Sequence, residues 1–142
     1  MKKTGWILIF VLTLSALVLS ACSSGGSGTS RPSLPADFAN LTNPFEGQAD
    51  AVSAGQALYV TNCASCHGDM GKGDGPAAAA LDPMPANLQL TAAETEPAYT
   101  YWLIHEGGAA AGLSSSMVAY EGILTEDQMW QIVTYLEATY GK

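Results

Sequence analysis

Positive charge is scarce in this 142-residue chain: five lysines and arginines face thirteen aspartates and glutamates, for a formal net charge of -8. A surface that acidic repels phosphates, which argues against a nucleic-acid partner; a protein docked by charge must present a basic patch. Charged residues of both signs reach only 13%, too few for a polar disordered chain or a coiled coil, and the glycines carry no collagen period. Cysteine is limited to three residues, which leaves little scope for a disulfide framework. Strand-like alternation is minimal, because Gly107 to Gly112 and the proline segments around Pro76 and Pro83 to Pro85 favour loops. What is present, 48% hydrophobic residues, suits one small domain with little room for a second.

The N-terminus pairs Lys2 and Lys3 with an apolar run from Trp6 to Leu19, the layout of a signal-peptide h-region. A spanning helix needs about 20 apolar residues, and this run is marginal for one even when extended from Gly5 to Ala21. Leu19-Ser20-Ala21-Cys22 resembles the bacterial lipobox. That resemblance implies that residues 1–21 are a lipoprotein signal peptide and that Cys22 becomes the lipid-bearing first residue on the outer face of the cytoplasmic membrane. Residues 22–47 are rich in Ser, Gly, Pro and Asn and read as a tether with an average reach of roughly 25 to 30 Å. Leu34, Phe38, Leu41 and Phe45 are its apolar exceptions, available to pack on the domain or on a larger complex. The globular domain is expected over residues 48–142.

Cys63-Ala64-Ser65-Cys66-His67 is the most informative stretch. Two thiols three positions apart reach the two vinyl groups of one porphyrin, and the adjacent imidazole is carried beneath the ring to ligate iron, so the motif implies one covalent haem c. A zinc site would need a second ligand pair, and the one remaining cysteine, Cys22, is assigned to lipid. A thioredoxin-like pair requires neither the immediate histidine nor a helix before it.

The surrounding residues, CASCHGDMGKGDGPAAAALDPMPANL from Cys63 to Leu88, resemble small monohaem class I cytochromes c, and the likeness extends over about Ala51 to Tyr140. The resemblance implies an all-α fold of three to five helices wrapped around the haem. It also implies that the carbonyl of Pro76 accepts the Nδ1 hydrogen of His67, while Gly68, Gly71, Gly73 and Gly75 form a tight loop beside the ring.

The sixth iron position has five candidates. Met70 lies too close to His67 to reach the opposite face, and Met129 completes a helical stripe. Met84 stands between two prolines, and His105 sits late in an expected helix, Pro97 to Glu106. Met117, ahead of Val118-Ala119-Tyr120, is similar to the ligand loop of the family and is the residue the resemblance favours; Val118 stands where proline is customary. A neutral thioether favours ferrous iron and raises the potential. The family also places a propionate-binding residue in the middle helix, and Trp102 is the choice here.

Two further helices are expected. Asp50 to Asn62 runs into the haem motif, and the last helix starts from a capping box at Thr125 to Gln128, with Met129, Ile132, Val133, Leu136 and Tyr140 as its stripe. The resemblance implies that Gly55 and Tyr135 meet where these helices cross. The function so implied is that of a lipid-anchored single-electron carrier between membrane redox complexes, not an enzyme and without a small-molecule substrate. Two alternatives stand beside it: a fixed haem subunit of a quinol-oxidising or oxidase complex, contacted through Asn43-Pro44-Phe45, and a haem enzyme or gas sensor with a labile sixth ligand.

Overall fold

The computed structural model describes residues 31–141. The expected signal peptide, Cys22, the first part of the tether and Lys142 lie outside the described residues. Among the described residues five α-helices follow in order: α1 (Ala49–Asn62), α2 (Ala64–His67), α3 (Leu88–Thr91), α4 (Pro97–Glu106) and α5 (Glu126–Tyr140). Single 3-10 turns lie at Ala78–Ala80, Ala92–Glu94 and Gly108–Ala111, and no strand occurs among the described residues. The fold is all-α, as expected.

The helix limits follow from local chemistry. Helix α4 opens on Pro97, whose missing N–H would be unpaired there in any case, and closes at Gly107 with φ 78°. Helix α5 opens on a complete capping box: the Thr125 hydroxyl accepts from the Gln128 amide at 3.2 Å, while Gln128 Oε1 accepts from the Thr125 amide at 2.9 Å. Glu126 and Asp127 place negative charge at the positive end of its dipole.

Helices α1 and α5 form the main packing pair. A Cβ on Gly55 would land on the Gln131 carbonyl and within 2.9 Å of Tyr135 Cβ, so only glycine lets the two backbones approach this closely. Around that crossing Tyr59, Met129, Ile132 and Val133 are fully buried. The Tyr59 hydroxyl leaves the core satisfied, donating to the Gly68 carbonyl at 2.8 Å. Tyr101 of α4 stacks on Trp130 of α5 with ring centres 4.3 Å apart, which ties the third long helix to the pair.

The stretch expected to be a free tether departs most from expectation. Residues 31–47 form a strap packed on the helices. The Phe38 ring stands edge-on to His105 at 5.4 Å and tilted to Tyr101 at 6.3 Å, Phe45 joins the main core, and Leu34 packs on Tyr99 and Trp102. Asn43 Nδ2 donates to Thr134 Oγ1 at 3.0 Å and to Glu137 Oε2 at 2.9 Å, and Arg31 Nη1 donates to Thr95 Oγ1 at 2.8 Å. Residues 31–47, read from composition as tether, thus pack on the helices, and Arg31 is bonded there through Thr95. Mean composition hid a few well-spaced anchors, Leu34, Phe38 and Phe45, each half-buried against the helices.

Candidate functional site

Helix α1 runs directly into the cysteine motif. Asn62 is its last residue, Cys63 forms the link, and α2 carries Cys66 and His67 on one short turn. Both thiols are half-buried and unpaired. Burial, and then the neighbouring Cys66, push the Cys63 thiol up to about 12, the reverse of the lowered thiolate of a redox-active pair. Burial also moves the His67 imidazole below its ordinary value, opposed by its bond to Ala86, which favours the neutral ring a metal ligand needs.

The partner of His67 differs from expectation. Its Nδ1 donates to the Ala86 carbonyl at 3.2 Å, leaving Nε2 with its lone pair for iron, and Pro76 is an exposed loop residue that does not take this role. The glycine loop explains the shift. Amides of Gly73, Gly75 and Ala77 bond the carbonyls of His67, Cys66 and Ser65 at 2.8, 3.2 and 2.9 Å, so residues 73–77 are occupied in closing the end of α2. At Gly73, with φ 79°, a side chain would strike the Pro85 carbonyl. The second proline segment thus crosses over the loop, pinned by the Leu88 amide on the Gly71 carbonyl at 2.6 Å, and it delivers Ala86 to the histidine.

The loop containing Met117 is held from both sides. Gly108 donates to the Met117 carbonyl at 2.9 Å, and Tyr120 and Glu121 donate to the carbonyls of Ile104 and His105 at 3.0 and 3.1 Å. Across the site, the Tyr120 hydroxyl donates to the Asn62 carbonyl at 2.6 Å, one residue before Cys63. Burial raises that phenol above its ordinary value, with Cys63 and Cys66 adding to the effect. Met117 itself is half-buried. Among the other candidates, Met70 and Met84 are 60% and 62% exposed, whereas Met129 is a core residue at 2%. His105 is engaged by Glu106 through Nδ1 at 2.9 Å.

Trp102 is buried in a second small core with Tyr99 and Ala111, and its ring meets that of Tyr99 at 5.1 Å and 75°. No hydrogen bond from its indole forms among the described residues. Tyr99, which the resemblance places beside Trp102 and Tyr101 in the same helix, carries the one buried side-chain hydroxyl without a partner among the described residues. Sequence reasoning missed Ala86 and Tyr120. Only Tyr120 had a visible signal, the aromatic three residues after Met117.

These features fit a covalent porphyrin: two unpaired thiols on one wall, an imidazole oriented by a backbone carbonyl, a loop with a thioether tied to the same wall, and a buried phenol in need of an acceptor. The sequence matches the family Cytochrome c over residues 52–139. The chain belongs to the cytochrome c family. Its cofactor is therefore covalently bound haem c, and it is a haem-based electron-transfer protein. Two solved structures share the fold. Cytochrome cL from the marine methylotroph Methylophaga aminisulfidivorans is 20% identical with a TM-score of 0.53, over 68% of this chain and 60% of that one. A chain of a reducing HAO-like protein complex from Kuenenia stuttgartiensis is 22% identical with a TM-score of 0.55, over 78% and 52%. This chain thus spans under two thirds of the length of either neighbour. No curated protein matches it.

Proposed function

We propose that this cytochrome is a monohaem, lipid-anchored carrier that moves single electrons between membrane redox complexes from the outer face of the cytoplasmic membrane, with His67 and Met117 as its axial ligands, and that it is not itself an enzyme. The observation that carries this reading is the double attachment of the Met117 loop, to α4 through backbone bonds and to the cysteine wall through Tyr120 and Asn62. A thioether held on both sides stays in place when the iron changes charge, so little reorganises. Haem c supplies the one-electron couple. The chain supplies a neutral imidazole fixed by Ala86, an apolar surround and, with thirteen acidic side chains, a surface that selects basic partners. Cys22 would confine the search to the membrane plane and raise the effective concentration at those partners.

The test is spectroscopic and electrochemical. The oxidised protein should show the methionine-to-iron band near the red end of its spectrum, and Met117→His should lower the potential while retaining the haem. An unchanged potential would transfer the ligand role to Met84 or His105.

The fixed-subunit reading loses the contact first assigned to it, because Asn43 and Phe45 are engaged inside the domain. It would be restored by comigration with a large complex from mild detergent after a salt wash. The labile-ligand reading rests on Val118, 55% exposed where a proline would stiffen the loop. Carbon monoxide binding to the reduced protein at neutral pH would favour it.

A further inference from the structure

We infer that His105, Glu106 and Glu121 form a binding site for one divalent transition-metal ion of the zinc type, separate from the haem iron and set where the end of α4 meets the chain that follows the Met117 loop. Haem attachment accounts for Cys63, Cys66, His67 and the Met117 loop and makes no use of these three side chains. The inference goes beyond the electron-carrier reading and shares one requirement with it, that His105 does not ligate the haem iron.

The three donors converge. One ligand atom from each residue lies within 4.8 Å of the other two, and the closest pair, His105 Nδ1 and Glu106 Oε1, is 2.9 Å apart. Zinc bonds to nitrogen and oxygen of about 2.0 to 2.2 Å set two neighbouring ligands of one ion about 2.9 to 3.5 Å apart. The His105–Glu106 pair therefore already has the spacing of adjacent ligands. On binding, the ion takes the place of the hydrogen between Nδ1 and Oε1, and the neutral ring carries its one hydrogen on Nε2. An imidazole nitrogen beside two carboxylates selects zinc and its first-row neighbours, whereas calcium and magnesium favour oxygen ligands alone. Three protein ligands leave a fourth position for water.

The fold holds these donors in place through contacts that need no ion. The His105 side chain is 19% exposed, and its ring stands edge-on to Phe38 at 5.4 Å and tilted to Tyr101 at 5.8 Å, so packing fixes its orientation. Glu106 follows as the last residue of α4. Glu121 arrives from the far side of the Met117 loop, and its amide donates to the His105 carbonyl at 3.1 Å, which registers it against the same ring. Charge points the same way. Arg31 is bonded to Thr95 and Lys72 lies in the glycine loop, and neither forms an ion pair with Glu106 or Glu121 among the described residues. Glu106 is 38% exposed, which gives an ion its entry path. An ion held between α4 and Glu121 adds a further tie to the Met117 loop, beside its backbone bonds and the bond from Tyr120 to Asn62.

The experiment uses the haem-loaded full chain, in which both motif thiols are thioethers, with zinc chloride as the probe and three readouts: calorimetric titration, X-ray absorption at the zinc edge, and the haem spectrum. One equivalent of zinc should bind saturably in a shell of nitrogen and oxygen with imidazole scattering, and the haem spectrum should not change. The chain has two histidines, and His67 is taken by the iron, so that scattering reports His105. Glu121→Gln, at an exposed position, and His105→Gln should each weaken binding at least about tenfold, the cost seen for outer-sphere partners alone, and His105→Gln should remove the imidazole signal. Zinc should raise the Tm of the parent protein and not that of Glu121→Gln. Asp50→Asn removes one exposed charge at the start of α1 and should leave binding unchanged. The inference is overturned by the absence of saturable binding, by sulfur in the zinc shell, by calcium displacing zinc at equal concentration, or by Asp50→Asn costing as much as Glu121→Gln. With the haem spectrum of His105→Gln intact, any of these results strikes the zinc site alone; a changed haem spectrum in that variant would overturn the Met117 reading as well.

Discussion

The cysteine wall and the strap are built on opposite principles. Residues 63–77 contain few apolar side chains and owe their shape to backbone bonds, with three consecutive carbonyls of α2 closed by amides of the glycine loop. Residues 31–47 have almost no regular structure and are held by a few side chains, Leu34, Phe38, Asn43 and Phe45, each set into a site provided by distant helices. The first region tolerates little change in its backbone and much on its surface; the second behaves the other way. A segment can read as a linker by composition and still be part of the domain when its exceptions are the anchors.

The largest effect should come from the wall. His67→Ala should prevent stable haem attachment, measured as loss of covalent haem on a denaturing gel, while no single strap variant should do so. Next is the helix crossing that supports the wall. Gly55→Val forces a branched side chain into the Gln131 carbonyl and should cost about 3 kcal/mol or more in a denaturant titration of the holoprotein. Phe38→Ala should cost about 2 kcal/mol, less than a fully buried Phe because the ring is only half-buried, and should expose residues 31–47 to limited proteolysis. A true tether would show no change in stability. Asn43→Ala removes donations to Thr134 and Glu137 and should cost about 1 kcal/mol.

The smallest effect concerns pH. Burial raises the Glu137 carboxyl above the ordinary range, the Asn43 bond lowers it in part, and Glu46 adds to the rise. A carboxyl with a higher value in the folded state binds more protons folded than unfolded, so its contribution to stability falls as pH rises through the interval between the two values. Glu137→Gln keeps an acceptor for Asn43 and should flatten that part of the stability curve. A steeper curve would show that the ionised form helps hold the strap.

The legible parts of this molecule were those set by local rules. The Pro97 start of α4 and the Thr125 to Gln128 box appeared where expected, because each depends on a few residues close in sequence, and the Gly55 to Tyr135 approach appeared where the family resemblance implied it. The histidine partner was not legible. Pro76 stood in a plausible motif position, but carbonyls are common to every residue, and which one reaches Nδ1 depends on how the loop folds back; the chain places Ala86 there. The choice among Trp102, Tyr99 and Tyr101 was not legible for a related reason: all three read alike as aromatic helix residues until their burial and partners are seen.

Sequence alone determined the chemistry: two thiols and an imidazole at fixed covalent spacing specify a stitched porphyrin, since bond lengths within five residues leave few other outcomes. Tertiary structure alone decided which backbone oxygen orients that imidazole, that residues 31–47 pack on the helices, and which cation and phenol stand together near the N-terminal end of α4. Those depend on contacts between residues tens of positions apart, whose distances no local pattern encodes.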